Sequence, residues 1–137
     1  MGHTRGVSRR NVLGGTLESC GTDPVTGFYR NGCCDWGPDD VGYHTICATV
    51  TAAFLEHQRS IGNDLVTPMP AYGFPGLQPG DRWCVTAANW LRAHEDGAAA
   101  PVVLAATNEV TLDVVALDVL QAYAVDVPDD PGALDSH

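Results

Sequence analysis

Cys20, Cys33, Cys34, His44, Cys47 and Cys84 form a Cys/His set that could bind a metal or supply a nucleophile and its base. Tetrahedral zinc takes four soft or borderline ligands, and Cys33, Cys34, His44 and Cys47 can supply three or four of them. Against zinc, no Cys-x2-Cys pair is present, and the side chains of adjacent cysteines diverge. On a strand, His44 and Cys47 would also face opposite sides. Nucleophilic chemistry needs a thiol, a base within hydrogen-bond reach and a group that orients the base. Here Cys34 would be the exposed thiol in a turn, His44 the base, and Asp40 or Asp64 the orienter. The neighbouring Asp35 opposes a thiolate. In a third reading Cys47 and Cys84 are small buried hydrophobes on strands. The simplest reading is this last one, which makes the cysteines packing residues.

Asn63, Asp64, Asp81 and Arg82 form a second set, bracketing a loop rich in Gly and Pro. Acidic residues on either side of such a loop can hold a cation or exchange protons. The same residues also read as turn formers, with Asn63-Asp64 closing a helix end after Gly62 and Asp81 presenting Arg82 for an ion pair. Trp36, in a turn-rich stretch, could wall a pocket. Gly14-Gly15 lacks the lysine and helix of a phosphate cradle, and no HExxH, GxSxG or Cys-x-x-Cys occurs.

The elements that must position these groups follow from periodicity and punctuation. Residues 44–48 and 82–86 read as short strands, each followed by a helix, at 51–60 and 87–96. Thr51 and Thr86 suit the N-caps, and Gly62 and Gly97 the left-handed positions after the helices. In the second helix Ala87, Trp90, Leu91 and His94 fall on one stripe. Residues 11–15 suggest a short strand ending at a glycine turn. Residues 102–106 and 110–114 read as a hairpin, the second arm alternating Val110, Leu112 and Val114 with polar residues. A short amphipathic helix carries Leu117, Leu120, Tyr123 and Ala124. Residues 18–43 are turns without periodicity, a length that calls for a clamp: a metal, a disulfide, or packing by Phe28, Tyr29 and Trp36. The expected fold is α+β, with a small mixed or antiparallel sheet, two or three helices and long Gly/Pro-rich loops. Residues 1–10 are expected as a disordered lead-in, 11–125 as the single domain, and 126–137 as a disordered acidic tail.

Composition narrows the partners. Acidic residues outnumber basic ones 17 to 7, for a formal charge of −10, and every basic residue is Arg. That balance points away from nucleic acid and from anionic membrane surfaces. The absence of Lys removes Schiff-base chemistry. No apolar run approaches the ~20 residues of a membrane span. Ser8-Arg9-Arg10 resembles a twin-arginine signal but lacks the apolar stretch that must follow. A cytoplasmic location is expected, where five cysteines would be thiols or ligands before they would be a disulfide framework. An odd count also permits two bridges and one spare thiol.

Several phrases in order carry a family resemblance: Asn11-Val12-Leu13-Gly14-Gly15, Thr26-Gly27-Phe28-Tyr29-Arg30, Gly32-Cys33-Cys34 and His44-Thr45-Ile46-Cys47-Ala48. Gly62-Asn63-Asp64-Leu65, Phe74-Pro75-Gly76-Leu77, Gly80-Asp81-Arg82-Trp83-Cys84 and Pro101-Val102-Val103-Leu104 continue it. Over about 11–124 the chain resembles the DUF2237 family of small bacterial-type proteins. The resemblance implies one compact domain and no particular reaction. Asn108 and Thr86 stand where that family often has His and Cys, so no ligand role is carried over to either.

The function expected is a small-ligand-binding or catalytic pocket formed by the 28–47 and 62–84 loops. His44, Cys34 and Asp64 would be its reactive groups, with Asp40, Asn63, Asp81, Arg82 and Trp36 binding the ligand. The alternatives are a non-enzymatic module docking a protein partner through the Pro/aromatic 69–77 loop, and a structural zinc protein. Convergence of His44, Asp64 and Arg82 would favour the pocket; an exposed apolar patch at Tyr72 and Phe74 would favour docking.

Overall fold

The computed structural model describes residues 9–22 and 24–126. The molecule is α+β, as the interleaved strand and helix signals predict. Strand β1 (His44–Thr49) leads into helix α1 (Ala52–Ser60), and strand β2 (Arg82–Thr86) runs straight into helix α2 (Ala87–Glu95). A short helix α3 (Leu117–Gln121) closes the order. The two strands pair antiparallel, with Cys47 opposite Cys84 and Ala48 opposite Trp83.

Strand alternation divides the interior into two. Ile46, Ala48, Trp83 and Val85 belong to the main core with Phe54, Leu55, Trp90, Leu104 and Leu120. Cys47 and Cys84 belong to a second cluster with Cys20, Cys34, Val103 and Ala106. The clamp on the 18–43 segment is found there: disulfides Cys20–Cys47 and Cys34–Cys84 pin that loop to β1 and β2 respectively. Cys33 is the free cysteine.

The helix boundaries follow the caps. The Thr51 side chain accepts from the Phe54 N–H at 3.0 Å, and Gly62 follows α1 at φ 90°. Thr86 caps α2 by position only, with no side-chain hydrogen bond, and Gly97 follows at φ 78°. Trp90 is fully buried, its Nε1–H donating to the Ala100 carbonyl at 2.9 Å.

Two expected strands at the C-terminal end are corrected. Leu104–Ala106 and Glu109–Asp113 are tight 3-10 turns, and only isolated bridges tie Val102 to Ala48 and Ala124. The Asn108 side chain accepts from the Val110 N–H and opens the second turn. Asp126 accepts from Leu104 N–H and Ala105 N–H and so caps the first. The expected strand at 11–15 is likewise a turn: the Asn11 side-chain oxygen accepts from Leu13 N–H and Gly15 N–H. The expected acidic tail lies outside the described residues apart from Asp126, as does the lead-in before Arg9.

Candidate functional site

The site is assembled around the start of β1. Tyr43 adopts φ 56°, a left-handed conformation that is rare and strained for a bulky residue. The pairing register then shifts between His44 and Ile46. Together the turn and the bulge re-aim His44 out of strict strand alternation, as bulges commonly do beside sites.

His44 is held by Asp40. The carboxylate accepts from the His44 backbone N–H at 2.8 Å and from Nδ1 at 2.7 Å. Asp40 is fully buried while the His44 side chain keeps 37% of its exposure. With Nδ1–H donating to the carboxylate, Nε2 remains as the basic ring nitrogen. Trp36 supports this arrangement from behind, its Nε1–H donating to the Asp40 carbonyl at 3.0 Å. Its ring packs on Tyr43 at 5.4 Å between centroids.

His44 lines an open cleft of about 410 Å³ together with Gly27, Phe28, Arg30, Asp64, Leu65, Met69, Tyr72, Phe74, Trp83 and Cys84. A smaller hollow of about 60 Å³ is also lined by His44, Trp83 and Cys84, and reaches Asn63, Val85 and Thr86. Trp83 and Cys84 point to opposite faces of the sheet, so a cleft touching both lies along the outer edge of β2. The walls are aromatic. Phe28 packs 5.5 Å from the His44 ring, and Phe74 packs 5.1 Å from Trp83. The Arg30 guanidinium lies 4.8 Å from the Trp83 ring centroid, a cation–π placement that presents its donors beside the cleft. Gly27 is a required glycine: its φ is 99°, and a Cβ there would run into the Cys33 carbonyl oxygen.

The structure sorts the expected residues. His44 and Asp64 do share one cleft. Asp64, however, is committed to its own loop, accepting from Val66 N–H, Thr67 N–H and the Thr67 hydroxyl. The Thr67 hydroxyl, followed by the backbone donors, holds the Asp64 carboxyl below its ordinary pKa. Asn63 donates to the buried Gln58 side chain at 2.8 Å, and Asp81 accepts from Gln78 N–H at 2.9 Å. Both act as turn formers. Arg82 is exposed at the far end of β2, opposite Thr49, so the expected convergence with His44 fails. Arg30 supplies the cation instead. Trp36 does not wall the cleft; it holds the Asp40 loop.

Cys34 is corrected most sharply. Expected as an exposed thiol, it is fully buried and bridged to Cys84, because the turn that carries it folds back onto the cysteine face of the sheet. The expected zinc set is not gathered either: Cys34 and Cys47 sit in different bridges, and His44 is turned to Asp40. The sulfurs that do meet are those of Cys20, Cys34 and Cys47, all within 4.8 Å of one another, and each is already half of a disulfide. The Cys33 thiol pKa is raised, first by burial and then by Asp35, with Arg9 opposing. Sequence reasoning gave Phe28 and Arg30 no site role. Their signal was the Gly-Phe-Tyr-Arg phrase in a segment too long to be a simple connection.

No helix among the described residues is long and apolar enough to cross a membrane. A family model described as "Uncharacterized protein conserved in bacteria (DUF2237)" matches residues 10–124. No curated protein matches the chain.

Proposed function

The chain belongs to the DUF2237 family, and from the chemistry of its own cleft we propose that it binds a small planar molecule carrying a carboxylate, with His44 as proton acceptor. The observation that carries this reading is a buried aspartate holding a half-exposed histidine at the mouth of an aromatic cleft. An acid that fixes one ring nitrogen leaves the other oriented as a general base. A cavity of about 410 Å³ falls in the range of small-molecule sites. Flat aromatic walls favour a planar ligand, and Arg30 is the cation placed to take its anionic group. The protein's own charge of −10 makes one well-placed guanidinium the natural discriminator. A cytoplasmic location belongs to the same proposal.

A screen of aromatic carboxylates followed by NMR of the Trp83 indole and His44 ring tests it. Binding should shift both signals, R30A should weaken it roughly two- to fivefold, and H44N should abolish proton uptake on binding. Ligands that shift neither signal would sink the reading.

Docking of a protein partner has one observation in its favour. Tyr72 is 74% exposed and Met69 46%, and both sit on the rim of the same cleft. Replacing Tyr72 by Ala separates the two readings: it should abolish docking and only weaken a ligand held by His44 and Arg30.

A further inference from the structure

The two disulfides lie side by side, and one of them borders the cleft. Cys84 borders both the cleft and the adjoining hollow with His44; it is 1% exposed, and its partner Cys34 is fully buried. The Cys34 sulfur in turn lies within 4.8 Å of both sulfurs of the Cys20–Cys47 bridge. Cys47 and Cys84 are direct cross-strand neighbours, so the two bridges are held in register by the sheet itself. Val103 and Ala106 complete the buried apolar cluster around them.

We propose that the four sulfurs form a disulfide relay which oxidises small carboxylate-bearing thiols entering the cleft. The proposal rests on the cleft reading above and gives it a substrate class. His44 takes the proton of the incoming thiol, and the resulting thiolate attacks Cys84 Sγ. The Cys34–Cys84 bond breaks, and Cys34 leaves with its electron pair as a thiolate. Cys34 then attacks the neighbouring bridge, forms a bond to Cys20 or Cys47 and expels the other as a thiolate. A second thiol attacks the mixed disulfide on Cys84 and releases the small-molecule disulfide. Two thiols are thereby oxidised to one disulfide, and the chain gains two electrons and two protons, stored as Cys84 and one of the Cys20/Cys47 pair. Exchange of this kind needs an activated attacking thiol and access to one sulfur of the bridge. The cleft supplies the base, and its wall at Cys84 is the point of attack. Cys33 stays outside the relay: it is not among the three clustered sulfurs, and its burial and Asp35 favour the protonated thiol. In the cytoplasm, where a disulfide is usually catalytic or redox-sensing, such a relay also gives the second bridge a purpose.

The test is native-state exchange with millimolar mercaptopropionate, quenched in acid and mapped by alkylation and mass spectrometry. The expected result is an adduct on Cys84 without denaturant, followed by a new bridge from Cys34 to Cys20 or Cys47. Removing the second bridge, as C20S/C47S, should keep the Cys84 adduct and leave Cys34 as a free, alkylatable thiol. H44N should slow adduct formation roughly 100-fold near neutral pH, and the loss should vanish once rates are normalised to thiolate concentration. R30A should slow mercaptopropionate severalfold more than it slows mercaptoethanol. The relay is overturned if both bridges open together and only on unfolding, or if no crossed bridge forms. Aromatic carboxylates that still bind at His44 and Arg30 would then leave the cleft reading standing; their failure to bind would remove that reading as well.

Discussion

At the scale of single residues, the two carboxylates offered as orienters of His44 have opposite characters. Asp40 is buried and faces His44, whereas Asp64 is exposed and faces its own loop. Replacing Asp40 by Ala should cost about 1–3 kcal/mol in a urea titration, the cost of leaving the His44 N–H without its acceptor. It should also release the His44 ring from a single tautomer, visible in nitrogen NMR of the imidazole. For Asp64 the sign follows from its lowered pKa. Its contribution to stability is complete above the unfolded-state pKa and is lost as pH falls through the lower folded value. D64N should therefore lower stability in the neutral region, where the charged carboxylate contributes fully, and flatten the acid side of the profile. Sequence could name His44, Asp40 and Asp64 as a group, because all three are polar residues in turn-rich segments. It could not separate orienter from loop former, since that depends on which donors the fold brings to each carboxylate.

At the scale of elements, the two strand-to-helix junctions invite a direct comparison. Both begin a helix after threonine, but Thr51 Oγ1 accepts from Phe54 N–H while Thr86 Oγ1 is buried without a hydrogen-bond partner. T51A should cost about 1 kcal/mol, the usual worth of an N-cap. T86V keeps the shape and removes an unsatisfied hydroxyl, so it should cost nothing or stabilise slightly in the same thermal-melt measurement. The helices were legible because periodicity and caps are local. The expected hairpin over 102–114 was not. Val110 is buried, but Leu112 and Val114 keep 41% and 37% exposure, so their alternation never faced a core. The turns there are set by Asn108 locally and by Asp126, which caps the chain 22 residues before it, a contact no window of sequence contains.

At the scale of the molecule, the bridges replace the regular structure that residues 18–43 lack. Their partners are 27 and 50 residues apart, separations for which closing the unfolded chain is worth about 3.5–4 kcal/mol per bridge. The loops overlap, so the two contributions will not simply add. Full reduction should lower the urea midpoint sharply and loosen the 18–43 segment first, detectable as faster amide exchange there while α2 stays protected. What the sequence by itself determined is the α+β class, both strand–helix units, the Thr51 cap and the family. These follow from local propensity, spacing and punctuation, which act over a few residues. What only the tertiary structure decided is the pairing of four cysteines, the choice of Arg30 over Arg82, and the partnership of Asp40 with His44. Each is a meeting of side chains across a folded-back loop or a bulged strand. Such meetings are fixed by the path of the backbone in space, which residue types and spacings along the chain do not specify.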